Sequence, residues 1–204
     1  MSEDGRLRYD TVDGPRRACL QRPEPAVVWR LNESTKNDLS DGFRLAMREL
    51  AAGVCLVTTA QASDRAGLTA TSVSSLSVAP PSLLVSIQCS SRALKTLLAF
   101  GRFGVNLLAG NQREIANRFS GRRGVHGAAR FDGDDWRTGA SGVPLLSSAL
   151  AAVECTVERV MEWHTHCIVV GAVSNVLVRG QGDALVYWRG RYCVPADRPP
   201  PKEF

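Results

Sequence analysis

From Val153 onward the chain is built for strands: Val153, Cys155 and Val157 alternate with Glu154, Thr156 and Glu158, a long run rich in β-branched residues follows over 166–178, and a shorter one over 184–188. A period of two places alternate side chains on opposite faces, so these stretches read as antiparallel strands. Val54–Thr59, Ser82–Gln88 and Phe103–Leu107 are also short and apolar, and Leu68–Val78 reads as extended but rich in serine. Only about three helical patterns interrupt them, with no regular strand and helix alternation. The fold expected is therefore mainly β (α+β), an antiparallel β-barrel with a few flanking helices rather than a doubly wound sheet.

Phe43, Ala46, Met47 and Leu50 recur at helical spacing, which predicts a helix over 41–52 with Ser40 or Asp41 as its cap and Gly53 as its stop. Leu94, Leu97 and Leu98 predict a second, capped by Ser91 and ended by Gly101. Asn111 and Glu114 form a capping-box pattern opening a third, whose apolar face includes Ile115 and Phe119. The run GRRGVHGAAR, ending at Arg130, reads as a mobile glycine-rich loop. Residues 1–40 lack periodicity and read as a loosely held arm, 41–195 as the folding unit, and 196–204 as a proline-rich tail.

With 204 residues the chain has the length of one domain. It contains no apolar window long enough to span a membrane, and its first residues lack a secretory signal, so a cytoplasmic protein with no membrane partner is expected. The six cysteines (Cys19, Cys55, Cys89, Cys155, Cys167, Cys193) are irregularly spaced without a C-x-x-C pair, and read as reduced thiols. The net charge of +5 is concentrated: residues 92–130 carry eight basic side chains against Glu114 alone. Such a field suits phosphates, of a nucleotide or of a polymer. Nucleic acid is disfavoured as the partner because few aromatics interleave with the arginines.

The motifs of P-loop NTPases, zinc proteases, nucleophile-elbow hydrolases and Rossmann domains are all missing. Three features remain. Thr69, Ala70, Thr71 and Ser72 put small, hydrogen-bonding residues on an extended segment, leaving room for a flat ligand. Cys89, Ser90, Ser91 and Arg92, with Lys95 and Thr96, place hydroxyls and cations at a helix start, which suits an anion. His164 and His166 share one strand face, but no third ligand, Glu154 or Glu162, is fixed by spacing, and no metal is expected.

The run GLTATSVSSLSVAPPSLLVSIQCSS, the strand FGVNLL, the segment RFDGDDW, the HTHCIVVGAV region and the closing ALVYWRGRY together resemble the flavin reductase-like family of FMN- or FAD-binding split β-barrels, reductase components of two-component flavin monooxygenases. The resemblance covers about residues 41–195. It implies a homodimer with flavin in a groove near the subunit interface, reduced by NADH or NADPH and passed to a flavin-dependent monooxygenase. It further implies that Thr69, Ala70, Thr71 and Ser72 line the isoalloxazine edge, that Cys89, Ser90 and Ser91 hold the pyrimidine side and ribityl chain, and that Lys95 and Thr96 lie toward the phosphate. Asn106, Phe119 and Phe131 fall in segments near the flavin. The family's G-D-H aligns with His164, Thr165 and His166, with His for Gly and Thr for Asp here. That alignment makes His166 the catalytic candidate at the nicotinamide site, with Tyr192 at the same mouth.

Such chemistry needs no protein nucleophile, because flavin and nicotinamide carry the electrons and the protein holds their rings about 3 to 3.5 Å apart. Hydrogen bonds from Thr71 or Ser72 to the reducing end of the flavin would be worth about 1 to 3 kcal/mol as negative charge develops. The competing expectation is a flavin- or haem-binding barrel without turnover.

Overall fold

The computed structural model describes residues 36–61, 64–180 and 182–196. Residues 1–35 of the expected arm, with Cys19, and the expected tail beyond Ala196 lie outside the described residues. In chain order the elements are helix α1 (Lys36–Glu49), strands β1 (Ala52–Gly53), β2 (Cys55–Gln61), β3 (Asp64–Ala70), β4 (Val73–Val78) and β5 (Pro81–Gln88), helix α2 (Arg92–Phe100), strand β6 (Arg102–Leu107) and helix α3 (Arg113–Phe119). A 3-10 helix (Gly127–Phe131) follows, then β7 (Trp136–Thr138), β8 (Pro144–Leu146), β9 (Ala151–Trp163), β10 (His166–Val178), β11 (Val186–Trp188) and β12 (Arg191–Cys193).

Seven strands form one antiparallel sheet in the order β3-β2-β6-β9-β10-β5-β4. Its two outermost strands are consecutive in the chain, joined only by Thr71 and Ser72. Laid flat, six strand spacings would hold those edges about 29 Å apart, whereas the three residue steps from Ala70 to Val73 reach about 11 Å at most. The sheet must therefore curl until its edges meet. Strands β3 and β4 do not pair with each other, so the barrel stays split along that seam. The expected split barrel is thus observed, with Thr71 and Ser72 at the split.

Inside the curl, Val57, Val85, Phe103, Val105, Cys155 and Val169 pack with Leu94 and Leu97 of α2, which closes the barrel. Gly171 makes room for this core: a Cβ there would meet the Phe103 ring at 2.5 Å and Cys155 Cβ at 2.8 Å. A second cluster, including Leu56, Leu108, Ile115, Phe119 and Phe131, packs α3 and the 3-10 helix against the outside of the sheet.

Several local expectations are corrected. The first helix runs over Lys36–Glu49, so Ser40 and Asp41 lie within it; Asp41 instead pairs with Arg44 at 3.0 Å. Its end is not set by Gly53. The β11–β12 hairpin covers it, with the Arg189 amide donating to the Arg48 carbonyl at 2.9 Å and Trp188 Nε1 to the Glu49 carbonyl at 3.1 Å. The extended segment 68–78 is two strands broken at Thr71 and Ser72, because the chain there crosses from one sheet edge to the other. The capping box at Asn111 is not formed. Gln112 occupies the cap position of α3 and its side chain accepts from the Ala109 amide at 2.7 Å, while Glu114 pairs with Arg123. Ser91 caps α2 by backbone position without a side-chain bond, whereas Gly101 ends it as expected in the left-handed region, φ 73°. The end of the glycine-rich run is ordered as the 3-10 helix.

Glu154 departs most from the alternation read along β9. It is 1% exposed, although its neighbours Thr156 and Glu158 are exposed. Register shifts in the β9–β10 ladder near Asn175 bring that side chain beside it, and the Glu154 carboxylate accepts from Asn175 Nδ2 at 2.8 Å, the Ala140 amide at 3.2 Å, the Ser141 amide at 2.7 Å and the Ser141 hydroxyl. Burial alone would raise its pKa, but these donors outweigh it and hold the carboxyl below its ordinary value.

Candidate functional site

The open seam forms a groove of about 590 Å³, within the range of small-molecule sites. Its floor is β3, where Ala66, Gly67 and Ala70 present little bulk, and its wall continues through Thr71 and Ser72. The end of β5, the turn through Ser90 and Ser91, and the first residues of α2 form the opposite side. Phe119 and Ser120 from the end of α3, His126, Gly127 and Arg130 from the 3-10 segment, and His166 from the start of β10 complete it. The crevice is not filled by the protein's own large side chains.

Of the residues singled out from the sequence, Thr69, Ala70, Thr71, Ser72, Ser90, Ser91, Phe119 and His166 line this groove. Their hydrogen bonds separate their roles. Thr69 donates its hydroxyl to the Ala116 carbonyl at 2.6 Å, which ties β3 to α3. The Ser72 hydroxyl donates to the Ser86 carbonyl at 2.7 Å and the Ser86 amide donates back to the Ser72 carbonyl at 3.1 Å, so this residue staples the link to β5. Its proton is spent, and of the pair Thr71 and Ser72 it is Thr71 whose hydroxyl remains unpartnered among the described residues. Ser90 and Ser91 are likewise unpartnered through their side chains. His166 Nδ1 lies 2.9 Å from the Thr165 hydroxyl, which orients the ring.

The other candidates lie off the groove wall. Asn106 is fully buried behind β2, its amide donating to the Leu56 carbonyl and Thr58 hydroxyl and its oxygen accepting from the Leu146 amide, so its whole capacity is spent on the scaffold. Phe131 supports Phe119 from behind through an edge contact at 5.0 Å, together with Trp136. Thr96 is buried and returns its hydroxyl to the Arg92 carbonyl, and Lys95 projects from the exposed side of α2. Tyr192 packs against Tyr187 in the small sheet, and its carbonyl accepts from Arg113 at 3.0 Å. Cys89 adjoins the wall, with its sulfur 3.2 Å from that of Cys167. His164 sits in the β9–β10 turn with φ 53°, and the Glu154 carboxylate is consumed as described. Among the described residues no three His, Cys, Asp or Glu side chains gather as a metal site.

Of the groove's two arginines, sequence reasoning singles out Arg92 at the helix start and misses Arg130 as a site residue. Of the eight basic residues over 92–130, Arg92 and Arg130 reach the groove. Arg92 is paired with Asp64 at 2.8 Å. Arg130 donates only to carbonyls, those of Val125, Gly67 and Phe119, and forms no ion pair among the described residues. Burial lowers its pKa somewhat, but a guanidinium stays charged at any ordinary pH. A half-buried cation without a counter-ion, beside free hydroxyls and a small-residue floor, suits a planar ligand carrying a phosphate; a flavin nucleotide fits this donor set. The local excess of arginine was the only sequence signal for it.

A second hollow of about 620 Å³ shares Thr71 and Ser72 and is lined by Phe43 and Met47 of α1 and by Tyr187 and Trp188 of the hairpin. No described helix is long and apolar enough to cross a membrane.

Comparison with known proteins agrees with this architecture. The flavin reductase-like domain family matches residues 47–196. The FMN reductase (NADH) RutF of Stutzerimonas stutzeri is 40% identical over 154 residues, covering 76% of this chain and 87% of that protein. The reductase component of 4-hydroxyphenylacetate 3-monooxygenase from Pseudomonas aeruginosa is 38% identical over 146 residues, covering 72% and 86%. Among solved structures, BorF, the flavin reductase component of a bacterial two-component tryptophan halogenase, superposes with a TM-score of 0.72 at 34% identity, over 78% of this chain and 99% of that one. The NADH:FAD oxidoreductase SgcE6 of Streptomyces globisporus gives 0.73 at 28% identity, over 81% and 99%.

Proposed function

The chain belongs to the family of flavin reductase-like domains, and from that membership we propose that it is an NAD(P)H-dependent flavin reductase supplying reduced FMN or FAD to a partner flavin-dependent monooxygenase. The observation that carries this reading is the seam groove, with its small-residue floor, unpartnered hydroxyls and uncompensated Arg130. Bound flavin supplies the redox chemistry, accepting a hydride from the reduced nicotinamide.

The chain's own work is positioning and charge. Ala66, Gly67 and Ala70 leave space for a flat ring against β3. Thr71 would donate to the edge that gains negative charge on reduction, while Ser72 holds the link in place rather than donating itself. Ser90 and Ser91 would take the polar side and the sugar chain. Arg130, with Arg92, would hold the phosphate, the role that the resemblance gave to Lys95. His166 would face the nicotinamide across the groove from β3.

The protein would act in the cytoplasm as a homodimer. Strand β4 is an open sheet edge carrying Leu76 and the 88% exposed Val78, and α1 turns Phe43 and Met47 outward; exposed apolar edges of this kind are ordinarily covered by a partner. The partner monooxygenase follows from the relatives' roles as reductase components.

The test is to incubate purified protein with FMN or FAD and NADH or NADPH, and to follow the absorbance of the reduced nicotinamide. Flavin-dependent oxidation is expected with at least one combination. Flavin binding without oxidation in all four would instead mark a carrier and overturn the enzymatic reading.

A further inference from the structure

We infer that Cys89 and Cys167 form a peroxide-sensitive dithiol whose oxidation to a disulfide disables the groove; the effect on flavin rests on the function proposed above, whereas formation of the disulfide does not. The two sulfurs are already hydrogen bonded at 3.2 Å, so reaching a bonded separation of about 2.05 Å takes about 1 Å of movement. The backbone holds both in place. The Cys89 amide donates to the Thr165 carbonyl at 2.9 Å, and Cys167 sits opposite Ile87 in the β5–β10 ladder. Among the described residues no other two sulfurs hydrogen bond to each other; Cys55 and Cys155 are buried in the barrel and Cys193 lies in β12.

The pair is also asymmetric. Cys89 is half-buried and Cys167 is buried. Cys89 is therefore the sulfur that meets a dissolved oxidant first, with Cys167 behind it as the resolving thiol. Its thiolate attacks one oxygen of hydrogen peroxide and breaks the O–O bond, giving a sulfenic acid and a hydroxide that leaves as water after taking a proton. The Cys167 sulfur then attacks the Cys89 sulfur, the S–S bond forms, and the second oxygen leaves as water with the Cys167 proton. Two thiols and one peroxide become one disulfide and two waters, the sulfurs losing the two electrons that the peroxide gains.

The consequence for the groove follows from position. Ser90 and Ser91 directly follow Cys89, His166 directly precedes Cys167, and all three line the groove. Drawing the sulfurs together displaces both sides of the site at once. Dihydroflavin that meets dioxygen instead of a partner yields hydrogen peroxide, so the disulfide would throttle supply when demand for reduced flavin falls.

The experiment treats the full-length protein with stoichiometric hydrogen peroxide, blocks remaining thiols under denaturing conditions, and digests with trypsin. Cys89 falls in the peptide Ala66–Arg92 and Cys167 in Val160–Arg179, each the only cysteine in its peptide. A cross-link between these peptides, two hydrogens lighter than their sum and reversed by dithiothreitol, is expected; the wild-type spectrum decides this however well any variant folds. Binding of FMN, read by quenching of its fluorescence, should weaken at least tenfold on oxidation, recover with dithiothreitol, and be unaffected by peroxide in Cys167→Ala. Sulfinic acid on Cys89 without the cross-link, or preferential oxidation of Cys193, would overturn the dithiol. A cross-link that leaves FMN binding unchanged would overturn the switch. Reduced protein that binds no FMN would count against the flavin reading alone.

Discussion

Arg130 donates from Nη1 to the carbonyl of Gly67 at 3.0 Å, fastening the 3-10 helix to strand β3 with a cation that no described carboxylate neutralises. Replacing it tests whether that charge serves a ligand. Arg130→Ala should raise the Kd for FMN about tenfold or more, about 1.4 kcal/mol, and change riboflavin binding less, since riboflavin lacks the phosphate. Lys95→Ala should alter neither by more than about twofold. Equal losses for FMN and riboflavin, or a Lys95 effect as large as that of Arg130, would defeat the assignment; titration of flavin fluorescence reads both.

His166 stands at the start of β10 with its ring oriented by Thr165. His166→Ala should raise the KM for nicotinamide several-fold while leaving the KM for flavin within about twofold. Steady-state kinetics with each substrate varied in turn separates the two, and parallel increases would remove His166 from the nicotinamide side.

Gly171 and Phe103 share one volume inside the barrel. Backbone Cβ atoms cannot approach a packed ring at 2.5 Å, so Gly171→Ala must displace Phe103 or bend β10, at a cost of about 1 to 3 kcal/mol. Thermal unfolding followed by circular dichroism should show a fall of several degrees. An unchanged Tm would mean that the core yields more freely than its packing indicates.

Glu154 supplies a pH-dependent test. Its pKa is held below the ordinary 4.5 in the folded protein, so its contribution is present above the unfolded value and is lost as pH falls through the lower folded value. Glu154→Gln sets an amide against four donors and should cost about 1 to 3 kcal/mol at neutral pH. The gap between wild type and variant should narrow below about pH 4.5. Denaturant melts across the acid range measure it, and a gap independent of pH would show that charge plays no part.

The β4 edge predicts assembly. Wild-type protein should elute with twice the chain mass, and Val78→Asp should shift the population toward monomer at low concentration, read by light scattering. A wild-type monomer at all concentrations would exclude the dimer.

The strand-rich character and the three helices were legible in the order of residues, because hydrophobic period, glycine stops and β-branched runs are local properties, whereas the break at Thr71 and Ser72 within 68–78 was not. Half of the groove was legible for the same reason: Thr69–Ser72, and separately Ser90 and Ser91, announce themselves as small, mostly hydroxyl-bearing residues. Arg130 did not, since seven other basic residues surround it in sequence and only the path of the 3-10 helix selects which guanidinium faces β3. Glu154 misled for the same cause, as an alternating strand pattern says nothing of a register shift that brings Asn175 alongside. Asn106 shows the reverse case, a recognisable motif position whose amide holds β6 to β2 and β8 instead of lining the groove. Local chemistry writes the elements and their faces; which faces meet depends on the sheet curling until β3 and β4 adjoin, a long-range closure that no short window of residues encodes.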